Sequence, residues 1–556
     1  MKINLLRTNL TLKTVFLRMK YDNIVVGGGI AGLTAAAYLT RSGQSVLLIE
    51  RQHKVGGLVQ TFDRDGIYFD GGLRSIENSG IVFPMLKQLG IDIEFSKSNI
   101  SIGIGTEVLK LDGIDSVDSY ELFLKSQFPD NSSDISAIIL EIKKIMAYME
   151  ILYGIDNPAF LDFKKDRDYF VKVIFPWMFK FLFTIRKIRK INEPVEDYLK
   201  RFTKNQSLID IIAQHFFQKT PASFALSYFS LYLDYHYPKG GTATLIEKLE
   251  QYIKDNGGIV KTNSTIVKLN PERKELFDSE GNCLIYKNLV WAGDLKQLYN
   301  IIALDELTNQ KIIQTVVKKR TQLKPLNGGD SVFTVYLSVN ESKEYFEKKC
   351  SGHFFYTPEK SGLSTVDKTE IEVFLNTKLI DNESVELKNS VKKYLTDYFR
   401  YNTFEIAIPV LRDEDLAPKG KAGLIISLLF DYKLAKKIDE YGWTAEIKTF
   451  LEQLTIQIME ESIFPGLQSK VFGSFSSSPL TIAKLTGNTE GGITGWAFTN
   501  SFMPAENRML SIAKSVDTPL NSIFQAGQWT YSPAGLPISI LTGKLAADKA
   551  LKNKNM

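Results

Sequence analysis

Asp22-Asn23-Ile24-Val25-Val26 is a short apolar run with the length of a buried strand, and Gly27-Gly28-Gly29-Ile30-Ala31-Gly32 follows it at once and opens a helical run from Leu33 to Ser42. A second apolar run, Ser45 to Ile49, ends at Glu50. Far downstream, Thr244 to Asn256 reads as a helix, Ser264 to Leu269 as a strand and Leu289 to Asp294 as another. Between these blocks the pattern changes twice. Ile138, Ile139, Ile142, Ile145, Met146 and Met149 recur at helix spacing after polar Asn131 to Asp134, the stripe of a helix with one side in a core. Later, Ser331 to Val339, Glu372 to Leu375 and Gly423 to Phe430 are aliphatic or β-branched runs that predict a sheet.

Composition narrows the class. A chain of 556 residues exceeds one ordinary core, so two or more domains are expected, and 44% hydrophobic with 24% charged residues is the balance of a folded protein. No run of eighteen or more uncharged apolar residues marks a spanning helix. A net charge of +5 without a long basic and aromatic tract argues against a nucleic-acid partner. Two cysteines, Cys283 and Cys350, and four scattered histidines, His53, His215, His236 and His353, give no metal-ligand spacing and no disulfide framework. Residues 1–18 carry bases and no acid, which fits a targeting segment, while Met19-Lys20-Tyr21-Asp22 also fits a natural start directly before the first strand.

Strand, glycine turn, helix and acid in this order form a dinucleotide-binding unit. Gly27 permits the tight turn, Gly29 lets backbone approach a pyrophosphate, Gly32 lets the helix lie close on the strand, and the helix start at Ile30 and Ala31 faces the phosphates. Glu50 is placed to accept from a ribose hydroxyl and disfavours a 2′-phosphate.

Glu50-Arg51 leads to Lys54-Val55-Gly56-Gly57-Leu58 and then to Phe69-Asp70-Gly71-Gly72. This series resembles the flavin amine oxidase and phytoene desaturase superfamily, and the resemblance implies FAD, with the paired glycines beneath its ribityl and flavin portions. In the same order, Tyr237-Pro238-Lys239-Gly240-Gly241 resembles the return to the FAD domain, and Val267 is similar to the position that holds adenine through its backbone. Gly527-Gln528 and Ser532-Pro533-Ala534-Gly535-Leu536 look like the closing flavin motif, in which small residues bring a helix start near the ring. Gln528 departs from the family, which usually has Asp or Glu there, so the ribityl contact is expected to be neutral.

These motifs predict an α/β chain: a discontinuous Rossmann-type FAD-binding domain from 20–115, 236–325 and 505–552, and an inserted α+β substrate domain whose 116–235 part is helical and whose 326–504 part contains the sheet that roofs the flavin. Within the helical part, residues 169–190 run Tyr169 to Phe183 in aromatic and aliphatic residues and end in Arg186, Lys187, Arg189 and Lys190. That sequence suits a cytoplasmic protein peripheral on a membrane, dipping into the interface beside anionic head groups. It also fits a buried helix pair kinked at Pro176 with a solvated basic end.

Ser478-Pro479-Leu480-Thr481 and Gly491-Gly492-Ile493-Thr494-Gly495-Trp496 most resemble the branch of carotenoid isomerases, retinol saturases and bacterial phytoene desaturases, which implies a polyene or isoprenoid lipid as substrate. Desaturation, saturation and isomerisation at a carbon–carbon bond share one geometry, and the sequence does not choose among them. No nicotinamide motif follows, so electrons pass to or from a docking partner, oxygen, a quinone or a briefly bound reductant. Where the saturase-like branch commonly has His, this chain has Arg74, fit for a substrate carboxylate or carbonyl, an ion pair or a cofactor phosphate. His236, Tyr235 and Tyr531 are the candidates for proton transfer. Two other functions share the fold: an amine oxidase, with Trp496 and Tyr531 as an aromatic pair, and a prenyl-binding chaperone similar to the Rab GDP-dissociation inhibitors, which holds no flavin.

Overall fold

A computed structural model describes residues 18–111, 113, 115–376 and 385–553; the basic segment 1–17 lies outside them. A seven-stranded sheet forms the cofactor half. Strand Arg18–Val26 is its centre, flanked in parallel by Val46–Ile49 and Cys283–Trp291, with Ile259–Lys261 outside the former and Ile523–Gln525 parallel to the latter. Glu275–Asp278 and Ile266–Asn270 extend it antiparallel. The central strands are buried on both faces, which is why they read as continuous apolar runs rather than as alternating ones. Helix Ile30–Arg41 packs on this sheet and against the C-terminal helix Leu536–Lys552, where Gly543 makes close approach possible: a Cβ there would lie 2.3 Å from the carbonyl oxygen of Ala31.

A second seven-stranded sheet lies apart, in the order Val471–Ser477, Ser331–Val339, Ala422–Phe430, Phe404–Ala407, His353–Thr357, Ile100–Ile104 and Glu107–Leu111. The last two strands sit within 20–115, expected of the cofactor domain, yet they pair here: Ile100–Ile104 runs parallel to His353–Thr357. Glu372 to Leu375, expected as a strand, belongs instead to helix Thr369–Asn376, because Ile371 and Phe374, three apart, face the core while Glu372 and Val373 are exposed. Two small antiparallel sheets join the halves: Thr61–Arg64 with Ile67–Asp70, and Tyr235–Pro238 between Ile76–Glu77 and Phe95–Lys97.

The helical insertion has its own core. Helix Ser132–Tyr153 buries the expected Ile138, Ile139, Ile142, Ile145, Met146 and Met149. Against it lies the aromatic segment, continuous from Arg167 to Ile188: a π turn over Phe170–Ile174 precedes Pro176, where the ring would otherwise clash with the preceding turn, so the helix is not broken. It is not a buried pair. Val171, Phe175, Phe179 and Phe183, each four residues apart, are 64%, 60%, 53% and 65% exposed. Among the described residues no helix is long and apolar enough to cross a membrane.

Candidate functional site

Three glycines in the first turn are there for different reasons. Gly27 has φ +105°, and a Cβ on it would lie 2.9 Å from the carbonyl carbon of Ala292. A Cβ on Gly32 would meet the Gly27 carbonyl oxygen at 1.9 Å. A Cβ on Gly29, the N-cap of helix Ile30–Arg41, would meet nothing within 4 Å. No side chain caps this helix and no acid stands in its first turn, so its leading N–H groups face open space with uncompensated positive partial charge. That open place is fit for a pyrophosphate. Gly56 bonds across the turn through its N–H to Gly28 O at 2.8 Å, and Gly57, φ +59°, lies over Gly29.

Glu50 closes the adenosine side. It is 9% exposed, and its two carboxylate oxygens accept from Gly28 N at 2.7 Å and Gln52 N at 2.8 Å, each keeping a lone pair for a ribose hydroxyl. Val267 is half exposed, and the pairing of its strand with Glu275–Asp278 passes over it between Ile266 and Lys268, leaving a bulge there. Arg51 is differently used: its guanidinium bonds the Lys484 carbonyl and lies beneath Gly487, tying the cofactor loop to helix Pro479–Thr486.

At the other end, Gly72 packs against Leu58, whose carbonyl oxygen a Cβ would meet at 2.2 Å. Gly527, φ +94°, donates its N–H to Thr542 Oγ1 at 3.0 Å, and Gln528 stands beside Gly492. Gly535 is the N-cap of helix Leu536–Lys552, again with neither side-chain cap nor acid in the first turn, and Leu536 is buried behind it. The cradle thus offers two uncapped helix starts, an acid and a bulged strand in the order FAD needs. Asp70, expected to contact the cofactor, turns its carboxylate into the protein, accepting from Thr61 Oγ1, Thr242 N, Thr242 Oγ1 and the Tyr237 hydroxyl.

A buried polar cluster lies where the small sheet meets the roof. Arg74 is buried, donating to Asp70 O and, at 3.0 Å, to Ser427 Oγ of the roof. Beside it Ser75 Oγ, His353 Nδ1, His353 Nε2 and Glu405 Oε1 form a chain with steps of 3.0 and 2.9 Å, which fixes the imidazole with its Nε2 proton toward the carboxylate. Burial pushes Glu405 up, but the His353 hydrogen bond and the charges of His353, Arg74 and Arg412 outweigh it and hold the carboxyl below its usual range. Burial likewise lowers His353, against the pull of Glu405.

Of the expected proton carriers, Tyr235 faces this cluster, its ring stacked on His353 at 5.4 Å. His236, next in the strand, points the opposite way, away from His353: its ring packs edge-on against Phe83 and its Nδ1 lies 2.8 Å from Asp234 O. Tyr531 is buried near Tyr153, with its hydroxyl pushed up by burial. Trp496 packs on Trp529 at 4.9 Å and donates to its carbonyl, and among the described residues no ring contact joins it to Tyr531. Glu77, His353, Glu405 and Arg412 were not singled out from sequence; they come from four segments with no shared motif.

A model of an NAD(P)-binding Rossmann-like domain matches residues 25–89. All-trans-retinol 13,14-reductase of Danio rerio is 22% identical over 586 residues, covering 99% of this chain and 89% of that protein. The 4,4'-diapophytoene desaturase (4,4'-diaponeurosporene-forming) of Staphylococcus aureus is 19% identical over 95% of this chain and 98% of its own length. A second Danio rerio protein, named inactive all-trans-retinol 13,14-reductase, is 24% identical over 58% of this chain, which spans about half of it, 54%. Among solved structures, cyclohexylamine oxidase from Brevibacterium oxydans superposes with a TM-score of 0.56 at 13% identity over 96% of this chain and 100% of that one, a likeness of fold. The resemblance to the phytoene desaturase and retinol saturase-like branch therefore holds over nearly the whole chain.

Proposed function

We propose that this chain is an FAD-dependent oxidoreductase acting on carbon–carbon bonds of a polyene or isoprenoid lipid. The observation that carries this reading is the Gly29 turn, a glycine whose missing side chain leaves room for nothing in the protein itself, in a chain similar end to end to a retinol reductase and a phytoene-type desaturase. When bound, FAD supplies the two-electron exchange with the substrate carbon. The chain's own residues hold it: the N–H groups after Gly29 at the pyrophosphate, Glu50 at the ribose, the Val267 backbone at adenine, and the helix start at Gly535 near the ring. The aromatic cluster of Ile102, Tyr120, Ile142, Phe216, Tyr228 and Tyr232, between the helical insertion and the second sheet, encloses a space of about 20 Å³, so a lipid is received there only as these rings part.

The test is an anaerobic absorbance spectrum of the purified protein, then a panel of retinol, phytoene, a cis-carotenoid and a polyunsaturated fatty acid. The protein is expected to carry oxidised flavin. Bleaching by one lipid identifies a desaturase, reoxidation of dithionite-reduced flavin a saturase, and lipid turnover without spectral change an isomerase. A colourless protein that cannot be reconstituted with FAD overturns the reading and favours the prenyl-binding function.

Access from an anionic bilayer surface belongs to the same proposal. The exposed stripe of Val171, Phe175, Phe179 and Phe183 is followed by Arg186, Lys187, Arg189 and Lys190, and its helix packs on Ser132–Tyr153, which supplies Ile142 to the aromatic cluster; Trp177 donates to Ile151 O across that contact. Apolar rings enter the interface while the bases meet head groups. Co-sedimentation with phosphatidylserine-containing vesicles is expected, weakened by salt and reduced more than roughly tenfold by combined Phe175→Ser, Phe179→Ser and Phe183→Ser. Equal sedimentation of that variant, folded, removes the membrane surface from the proposal.

A further inference from the structure

Strand Ile76–Glu77 is two residues long, and its parity separates two environments. Ile76 lies opposite His236 and enters the core under the cofactor helix, fully buried. Glu77 lies opposite Tyr235 and shares its face. From there a wall of rings runs outward: Tyr235 on His353, His353 on Phe355 at 5.0 Å, and Phe355 on Tyr232 at 5.1 Å and His215 at 5.3 Å, the last two belonging to the aromatic cluster. On its other side Glu77 Oε1 is 3.5 Å from where a Cβ on Gly535 would stand, at the uncapped start of helix Leu536–Lys552. The carboxyl therefore sits between this wall of rings and the end of the cradle assigned to the flavin.

Its surroundings are unusual for a structural acid. Glu77 is enclosed by neighbouring segments yet keeps some exposed surface. Among the described residues no other side chain bonds it; its own backbone N–H is its one hydrogen-bond support. A buried carboxyl without a partner is costly to keep, and more costly ionised. Glu405, whose charge also reaches Tyr228 and Tyr235, has the opposite provision of His353 and two arginines. Two acids beside the same phenols, Tyr228 and Tyr235, one held charged and the other left unsupported, is the arrangement that divides anion from proton donor.

We propose that Glu77 is a catalytic residue, the group that gives the proton to the lipid, or takes it, on the carbon next to the one that exchanges hydride with the cofactor. The proposal rests on the function above. In the saturating direction the C=C bond loses its π pair: one carbon gains hydride from reduced flavin, its neighbour gains the Glu77 proton, and a carboxylate and oxidised flavin remain. In the desaturating direction the Glu77 carboxylate takes the proton, the adjacent C–H pair leaves as hydride to oxidised flavin, and the double bond forms. Chemical reduction by dithionite supplies the electrons in the first case.

Burial, reinforced by the charge of Asp234 and opposed by its own backbone hydrogen bond, pushes Glu77 from 4.5 up to about 7. The titratable groups facing it are Asp234, itself raised by burial, and the phenols of Tyr228 and Tyr235, raised beyond the range in which they ionise. Single-turnover saturation of a lipid by pre-reduced protein should thus fall as pH rises through about 7, and desaturation should rise. Glu77→Gln should lower either rate by roughly 10²-fold or more with FAD still bound, and Glu77→Asp should restore part of it.

Difference infrared spectroscopy gives a readout independent of turnover: a protonated-carboxyl band lost with a midpoint near pH 7 in the wild type and absent from Glu77→Gln. Stability has a matching sign. A carboxyl whose folded value is raised destabilises the fold as pH climbs from 4.5 to about 7, so the Tm of the wild type should fall over that window and that of Glu77→Gln should not. A band already lost by about pH 5, or Glu77→Gln turning over like the wild type, overturns the proposal. Failure of flavin-loaded wild type on every lipid strikes the proposed function instead, and the proton assignment falls with it.

Discussion

Gly29→Val should yield a folded, colourless protein, and Gly32→Val very little folded protein at all. At Gly29 the backbone is extended, φ −72° and ψ 174°, which valine adopts readily, and a Cβ meets no atom of the chain within 4 Å. The folding cost is that of a poor N-cap, about 1 kcal/mol. The isopropyl group would, however, stand over the leading N–H groups of the helix, where a pyrophosphate must come within hydrogen-bond distance. FAD affinity should fall by roughly 10²-fold or more, about 2.7 kcal/mol or above. At Gly32 the added carbon would lie 1.9 Å from the Gly27 carbonyl oxygen, and neither backbone can yield without parting helix from strand. A loss above about 4 kcal/mol is expected there, a large share of a typical folding stability. The flavin-to-protein absorbance ratio and the Tm of the two variants separate the cases. Full flavin in Gly29→Val would remove the pyrophosphate from this turn.

The same contrast explains what sequence made legible. The cofactor turn is contiguous, and the demands on Gly29 and Gly32 and the positive φ of Gly27 arise within it, so these glycines and Glu50 stand out in the sequence, although Gly27 also meets the distant Ala292 backbone. The nine-residue strands of the second sheet, Ser331–Val339 and Ala422–Phe430, also announced themselves as long apolar runs. His353–Thr357 and Phe404–Ala407 did not, being short and paired across more than forty residues. Glu372 to Leu375 showed the limit of a four-residue run, whose spacing fits a turn of helix as well as a strand. The buried cluster around His353 was the least legible part. Tyr235 and His236 are neighbours in sequence, but strand parity sends one to His353 and the other to Phe83, and which is which depends on the register with Ile76–Glu77. Glu77 stands seven residues after Asp70, yet only that pairing reveals that it shares the face of Tyr235. Tyr237, in the recognisable return motif, was a usable signal: two positions from Tyr235, it marks the inward side of the strand, bonding Asp70 from that side.

Asp70→Ala should be the most destabilising single change in the cofactor half that removes no apolar packing. The carboxylate has no exposed surface and joins three separate stretches of chain. Oδ1 accepts from Thr61 Oγ1 at 2.8 Å, Thr242 Oγ1 at 2.9 Å and Thr242 N at 3.1 Å; Oδ2 accepts from the Tyr237 hydroxyl at 2.7 Å. Arg412 Nη2 stands 4.0 Å from Oδ2, with the guanidinium carbon 4.0 Å above the Tyr237 ring, and its Nε and Nη2 have no hydrogen-bond partner among the described residues. Alanine would leave four donors unanswered and a buried cation without its nearest anion, a loss of about 3–5 kcal/mol. Asp70→Asn keeps one acceptor oxygen and should lose less. Much of the Asp70→Ala cost comes from the stranded cation, so Arg412→Met in that background should recover part of it, a non-additivity that a double-mutant cycle in urea measures directly. Because the carboxylate makes its bonds within the protein, flavin loss should follow unfolding rather than precede it. An Asp70→Asn protein as stable as the wild type but unable to hold FAD would return Asp70 to the cofactor site and leave the joint between the three stretches to other residues.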